Sequence, residues 1–179
     1  MWAFSDESER ANLMLVSVVL VPTSAVEGAR AVFDGLLLAG ERRLHTAKES
    51  PRRRRVALDT VARVEDLTAI VLRYRRGQGD SRLGGRRLLL QAAAGLVVGS
   101  GASAWTLDDQ DPVQRARDRG SIAHALAGVD HRLHPVYDHR PSHTEPLLWA
   151  ADAVCWAAGA GGDWRRRIAA VLTIRDVGP

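Results

Sequence analysis

The chain has 179 residues, 46% hydrophobic and 26% charged, and its mean hydropathy is near neutral. That length can bury a real hydrophobic core, and the composition excludes the disordered and fibrous classes. The formal net charge is +4, and apart from Lys48 all the Lys and Arg residues are arginine. A GC-rich genome produces such a bias without selection for function, so the basicity alone assigns no partner.

Cys155 is the only cysteine, which excludes an intrachain disulfide, and its apolar surroundings at 149–158 predict a packed thiol. No apolar run reaches the roughly 18 residues of a membrane span. The longest, 88–98, contains Gln91. The opening Met1-Trp2-Ala3-Phe4-Ser5-Asp6-Glu7-Ser8 lacks the basic flank and apolar stretch of a secretory signal, so a cytoplasmic location is expected.

The first predicted strand is 2–5, ending at Asp6-Glu7-Ser8. A polar link through Glu9 and Arg10 leads to a valine-rich strand at 13–21, and the two form a β-hairpin. Pro22 ends that strand. Thr23 or Ser24 then caps a helix carrying Val26, Ala29, Val32, Phe33 and Leu36 at helical spacing, reaching about Leu38 and closed by Gly40. Residues 44–49 form a brief strand or extended loop. Ser50-Pro51 starts a helix with Val56, Leu58, Val61 and Val64 opposite its arginines.

A strand at 67–74 and a helix at 83–98 follow, with the helix stopped by the glycines at 99–101. The strand at 102–107 runs directly into Asp108-Asp109, and Asp111-Pro112 opens a helix to about Leu126. The last predicted strand is 132–138. Thr144-Glu145-Pro146 begins a helix to Ala158, and Asp163 caps a final helix at 164–172. No repeat or low-complexity linker interrupts the chain, so 1–179 reads as one α/β domain. A hairpin followed by strand–helix alternation implies a mixed sheet covered by helices.

Three acidic positions stand out. Asp6 follows the first strand and Asp108/Asp109 follow a central one, at the strand ends where α/β sheets collect ligands. Asp152 interrupts the apolar helix Leu147-Leu148-Trp149-Ala150-Ala151-Asp152-Ala153-Val154-Cys155-Trp156. A carboxylate on such a face needs a partner. A shared metal ion, an arginine and backbone amides each qualify. Adjacent aspartates on a strand point to opposite faces, so only one of Asp108 and Asp109 joins such a site, and geometry alone does not choose. Lys48 carries weight as the lone lysine in an arginine-biased chain, three residues from His45.

Several segments together resemble the domain of unknown function 3800 family. They are Phe4-Ser5-Asp6-Glu7-Ser8 with the strand after it, His45-Thr46-Ala47-Lys48, the strand ending at Asp108, and the helix with Leu148-Trp149-Ala150-Ala151-Asp152. They are similar, in order and over nearly the whole chain, to that family's "DES" start, His-and-Lys segment, later aspartate and terminal "Q-x-A-D" helix. Trp149 or Leu148 stands where the last motif has glutamine, and Glu9 stands where a glycine often follows "DES".

The resemblance implies an RNase H-like mixed sheet with an N-terminal β-hairpin and helices on both faces. It also implies a carboxylate cluster for Mg2+ or Mn2+, and it favours Asp108 over Asp109. In that scheme Asp6 bridges two ions, Asp108 and Asp152 each hold one, and Glu7, His45 and Lys48 stand behind the ligands or face the substrate.

The expected function is a divalent-metal-dependent nuclease or related phosphodiester hydrolase. Nucleic-acid contacts would come from the clusters Arg52, Arg53, Arg54, Arg55 and Arg165, Arg166, Arg167, with Arg86 and Arg87 as a further basic pair. The alternative is a non-catalytic module docking nucleic acid or a protein through those arginines. A third reading, a component of a larger assembly, expects Trp164 or Trp105 at the surface. Five of the histidines lie late in the chain, at His124, His131, His134, His139 and His143. The His131-x-x-His134 spacing suits neither one helix face nor one strand face, which disfavours zinc, and His139 is expected to approach the acidic site. No P-loop, G-x-G-x-x-G or G-x-S-x-G pattern is present.

Overall fold

Leu13–Val21 is apolar on both of its faces, so it is stable only inside a sheet that is covered on both sides. The computed structural model, which describes residues 1–109 and 111–178, places it there. The strands are β1 (Trp2–Arg10), β2 (Leu13–Val21), β3 (Thr68–Arg75), β4 (Ala104–Asp108), β5 (Val136–Arg140) and β6 (Leu172–Asp176). They form one sheet in the order β5-β4-β1-β2-β3-β6. β2 lies antiparallel between β1 and β3, whereas β4 runs parallel to β1, β5 to β4, and β6 to β3.

The helices are α1 (Val26–Asp34), α2 (Pro51–Arg63), α3 (Arg82–Gly99), α4 (Pro112–Leu126), α5 (Leu147–Ala160) and α6 (Gly162–Arg167). The period-two alternation of the strands sorts them into two layers. Phe4, Leu15, Val19 and Val21 pack with buried residues of α1, α2 and α5. Ala3, Met14, Val16 and Val18 point the other way, into a second core with Leu89, Ala93 and Val97 of α3 and Ile122 and Leu126 of α4. The chemistry at the helix starts is as expected. Ser50 Oγ accepts from Arg53 N at 3.3 Å, and the Asp111 carboxylate accepts from Val113 N and Gln114 N, both at 2.9 Å.

Four boundaries differ from expectation. β1 does not stop at Ser5 but pairs with β2 as far as Arg10↔Leu13, so the hairpin turns at Ala11, which takes φ 47°, and Asn12. α1 ends at Asp34, because Gly35 closes it and the Glu41 carboxylate then accepts from Leu38 N at 2.9 Å in a separate turn. The fifth strand is Val136–Arg140, since His131–Leu133 is a 3-10 turn. The last helix stops at Arg167, and Leu172–Asp176 is a sixth, edge strand. Only Leu172 of that strand falls within the expected helix at 164–172, and the remainder was not expected to form an element. Among the described residues no helix is long and apolar enough to cross a membrane.

Trp105 is fully buried, with its indole N–H donating to Ser5 Oγ at 2.9 Å, so it offers no surface for assembly. Trp164 is half-buried, edge-on to Trp156 at 5.2 Å.

Candidate active site

The parallel pairing of β1 with β4 runs from Trp2↔Ala104 to Ser5↔Leu107 and ends there. The next residue on each strand is an aspartate, Asp6 on β1 and Asp108 on β4. Asp6 is therefore not at the end of its strand. It stands level with the end of β4, while β1 runs on as a hairpin arm. Parity puts both carboxylates on one face. Phe4, two residues before Asp6, lies in the α5 layer, and Trp105 and Leu107, which flank Thr106, lie in the α3/α4 layer. Asp108 therefore faces the α5 side, as Asp6 does.

On that side α5 is held against the sheet by Ser17, which is fully buried and donates from Oγ to Ala151 O at 2.9 Å. The next residue on α5 is Asp152. Asp6, Asp108 and Asp152 all line one cavity of about 370 Å³, together with Glu7, Glu9, Arg43, His45, Arg82, Arg86, Asp109 and Ser142.

The three carboxylates interact through their charges. Burial pushes the Asp6 carboxyl well above the usual carboxylate range, and the negative charges of Asp152 and Asp108 push it further, against the pull of Arg86 and Arg43. Asp108 is also raised, first by burial and then by Asp152, with Arg43 opposing. Asp6 Oδ1 accepts from Glu7 N at 2.7 Å. Asp152 Oδ2 accepts from Thr46 N at 2.7 Å and lies 3.4 Å from His45 Nδ1. Of the partners expected for Asp152, a backbone amide is met by Thr46 N, and the His45 ring is a further neighbour. Among the described residues no three His, Cys, Asp or Glu side chains stand as a preassembled metal cage. The three aspartates share a cavity without being drawn into ligation geometry.

Asp109 has a different assignment. Arg115, one turn into α4, grips it with two bonds, Nε to Oδ1 at 2.8 Å and Nη2 to Oδ2 at 2.5 Å. This separates the two adjacent aspartates where spacing could not. Glu7 points to the opposite side of the sheet from Asp6 and is ion-paired with Arg86 of α3. Arg86 in turn holds Asp118 of α4, Nε to Oδ1 at 3.0 Å and Nη2 to Oδ2 at 2.8 Å.

Sequence reading did not single out Asp118, Arg43 or the role of Arg86. The signal for Asp118 was an acidic residue at a buried position of α4, concealed by the arginines around it. His139 reaches the acidic site only at one remove, as its buried ring lies 3.7 Å from Asp118 Oδ2. Lys48 is exposed and does not line the cavity, so the turn that delivers His45 and Thr46 to Asp152 leaves the lysine outside.

The arginine clusters are largely engaged within the protein. Arg53 binds Glu41 and Glu49, and Arg54 donates to Thr46 O and Ala47 O. Arg55 lies over the Trp164 ring, Arg166 pairs with Asp163, and Arg167 pairs with Asp59.

No protein-family model and no curated protein matches the sequence. Among solved structures, a chain of the PCNA:RNase HII complex from Archaeoglobus fulgidus is similar over 87% of this chain and 70% of its own, with a TM-score of 0.58 at 16% identity. At that identity the likeness establishes architecture alone. Its agreement with the mixed sheet, the N-terminal hairpin and the helices on both faces makes the fold RNase H-like.

Proposed function

We propose that this protein is a divalent-metal-dependent phosphodiester hydrolase acting on nucleic acid, and that it is a divergent relative of the domain of unknown function 3800 family. The observation that carries the reading is the convergence of Asp6, Asp108 and Asp152 from two adjacent strands and one helix onto one face and one cavity. An all-carboxylate donor set suits Mg2+ or Mn2+, which take oxygen ligands and retain several waters. Three like charges in a partly buried cavity are unfavourable alone, as the raised Asp6 and Asp108 carboxyls indicate, and a cation offsets that cost. Once bound, such ions supply an activated water and stabilise the leaving oxygen of a phosphodiester.

The protein's own side chains do the positioning. Asp6, Asp108 and Asp152 supply the ligand oxygens, and the Thr46 amide and His45 ring orient Asp152. Asp109 is withheld by Arg115. Arg43, exposed at the cavity and donating to Ser142 Oγ at 2.7 Å, is placed to meet a substrate phosphate.

The test is calorimetric Mn2+ titration of the wild type and of Asp6→Asn and Asp152→Asn, followed by Mn2+-dependent cleavage of single- and double-stranded DNA and RNA. Binding and cleavage that both substitutions abolish, with folding intact, support the reading. Cleavage that persists in both variants, or absence of both binding and cleavage in the wild type, overturns it.

A further inference from the structure

A second cavity, of about 740 Å³, lies between α3 and α4 on the other side of the sheet from α5. Its walls are two polar stripes at helical spacing, Gly84, Arg87 and Gln91 on α3 and Gln114, Arg117, Ser121 and His124 on α4. Among the described residues its only acidic lining residue, Asp118, is buried and already bound by Arg86 and by Gln114 Nε2 at 2.8 Å. Arg87, Arg117 and His124 are exposed, and among the described residues none of their side chains makes an ion pair or hydrogen bond. This contrasts with Arg53, Arg54, Arg166 and Arg167, which are engaged within the protein. The exposed charge of the groove is therefore cationic throughout.

The groove and the acidic site share a wall, and the pocket lying against both is about 20 Å³. Arg86 lines both cavities, and a small pocket between them is lined by Asp6 and Asp108 from one and by Arg86 and Asp118 from the other. From Gln114 to His124 the α4 stripe is about 15 Å long at 1.5 Å per residue. That is long enough for two or more consecutive phosphates of one strand.

We propose that the α3–α4 groove is the track for the sugar–phosphate backbone of a nucleic-acid strand whose neighbouring segment enters the acidic cavity, with Arg87 and Arg117 as its phosphate contacts. This deepens the nuclease reading and rests on it for the class of ligand. It moves the contact surface away from the clusters on α2 and α6.

The test is fluorescence anisotropy with labelled single-stranded and duplex oligonucleotides of random sequence, in EDTA so that no cleavage contributes. The wild type is compared with an Arg87→Gln/Arg117→Gln double variant and an Arg52→Gln/Arg55→Gln control. Each phosphate contact steepens the dependence of log K on log salt by about 0.7 to 0.9. The groove variant is therefore expected to bind several-fold more weakly near 50 mM salt, with a slope shallower by about 1.4 to 1.8, while the control keeps the wild-type slope.

Unchanged binding and slope in the groove variant overturn the track and leave the nuclease reading standing, as does a loss confined to the Arg52/Arg55 control. A wild type that binds no oligonucleotide overturns the track, and Mn2+-dependent cleavage then decides separately on the nuclease reading.

Discussion

Arg86 is the side chain whose removal tests the architecture around the site most directly. Its guanidinium is 11% exposed and the Asp118 carboxylate it grips is 2% exposed, with two bonds of 3.0 and 2.8 Å between them and Glu7 as a further partner. Arg86→Ala leaves Asp118 buried with Gln114 Nε2 at 2.8 Å and the His139 ring at 3.7 Å as its remaining polar neighbours. Stranding a buried charge in this way costs about 3–5 kcal/mol. With an unfolding entropy of roughly 2.1 cal/mol/K per residue, a chain of this length has about 0.4 kcal/mol/K in total, so Tm should fall by about 8–13 °C.

A pH arm isolates the electrostatic part. Burial of Asp118 by itself raises its carboxyl, but the His139 ring, the Arg86 guanidinium and the Gln114 amide together hold it well below the usual carboxylate range. A group depressed in the folded state stabilises the protein above its unfolded value of about 4, and that stability is lost as pH falls through the folded value. The wild type should therefore lose stability on the acid side, and Arg86→Ala should lose much less of it there. The assay is urea denaturation followed by circular dichroism at neutral and acid pH, with Arg86→Met/Asp118→Leu completing the cycle. The double variant should be closer to wild type than Arg86→Ala. A cost below about 1 kcal/mol for Arg86→Ala, with an unchanged acid limb, would refute the reasoning, because that is what an exposed pair gives.

Asp108→Asn should abolish calorimetric Mn2+ binding, whereas Asp109→Asn should keep it within a few-fold, because Arg115 already occupies Asp109. Equal losses in the two would refute the division. Asp6→Asn should raise the Tm of the metal-free protein at neutral pH, since it removes a buried carboxylate repelled by Asp152 and Asp108. A carboxyl raised on folding destabilises at pH above its folded value, so the gain should fade as pH falls toward about 4, which differential scanning calorimetry across pH would show. Ser17→Ala should cost about 1 kcal/mol by removing the hydroxyl that bridges β2 to the Ala151 carbonyl, read from the urea midpoint; a neutral result would mean that Ser17 does not anchor α5.

What the sequence determined by itself was local. Apolar runs rich in β-branched residues specified β2 and β3, and Ser50-Pro51 and Asp111-Pro112 specified two helix starts, because those signals act through neighbouring backbone atoms. It also marked Asp6, Asp108 and Asp152, since a carboxylate at a strand end or inside an apolar helix is conspicuous without any fold. Tertiary structure decided the rest. β1 extends to Arg10 because β2 pairs with it throughout, and β6 is a strand because β3 has an edge open to it. Asp109 is separated from Asp108 by Arg115, Lys48 falls outside the cavity, and Asp118 becomes a buried anchor for Arg86. Each of these depends on which residues distant in sequence lie across a few ångströms of space, and that follows from sheet order and helix packing rather than from spacing along the chain.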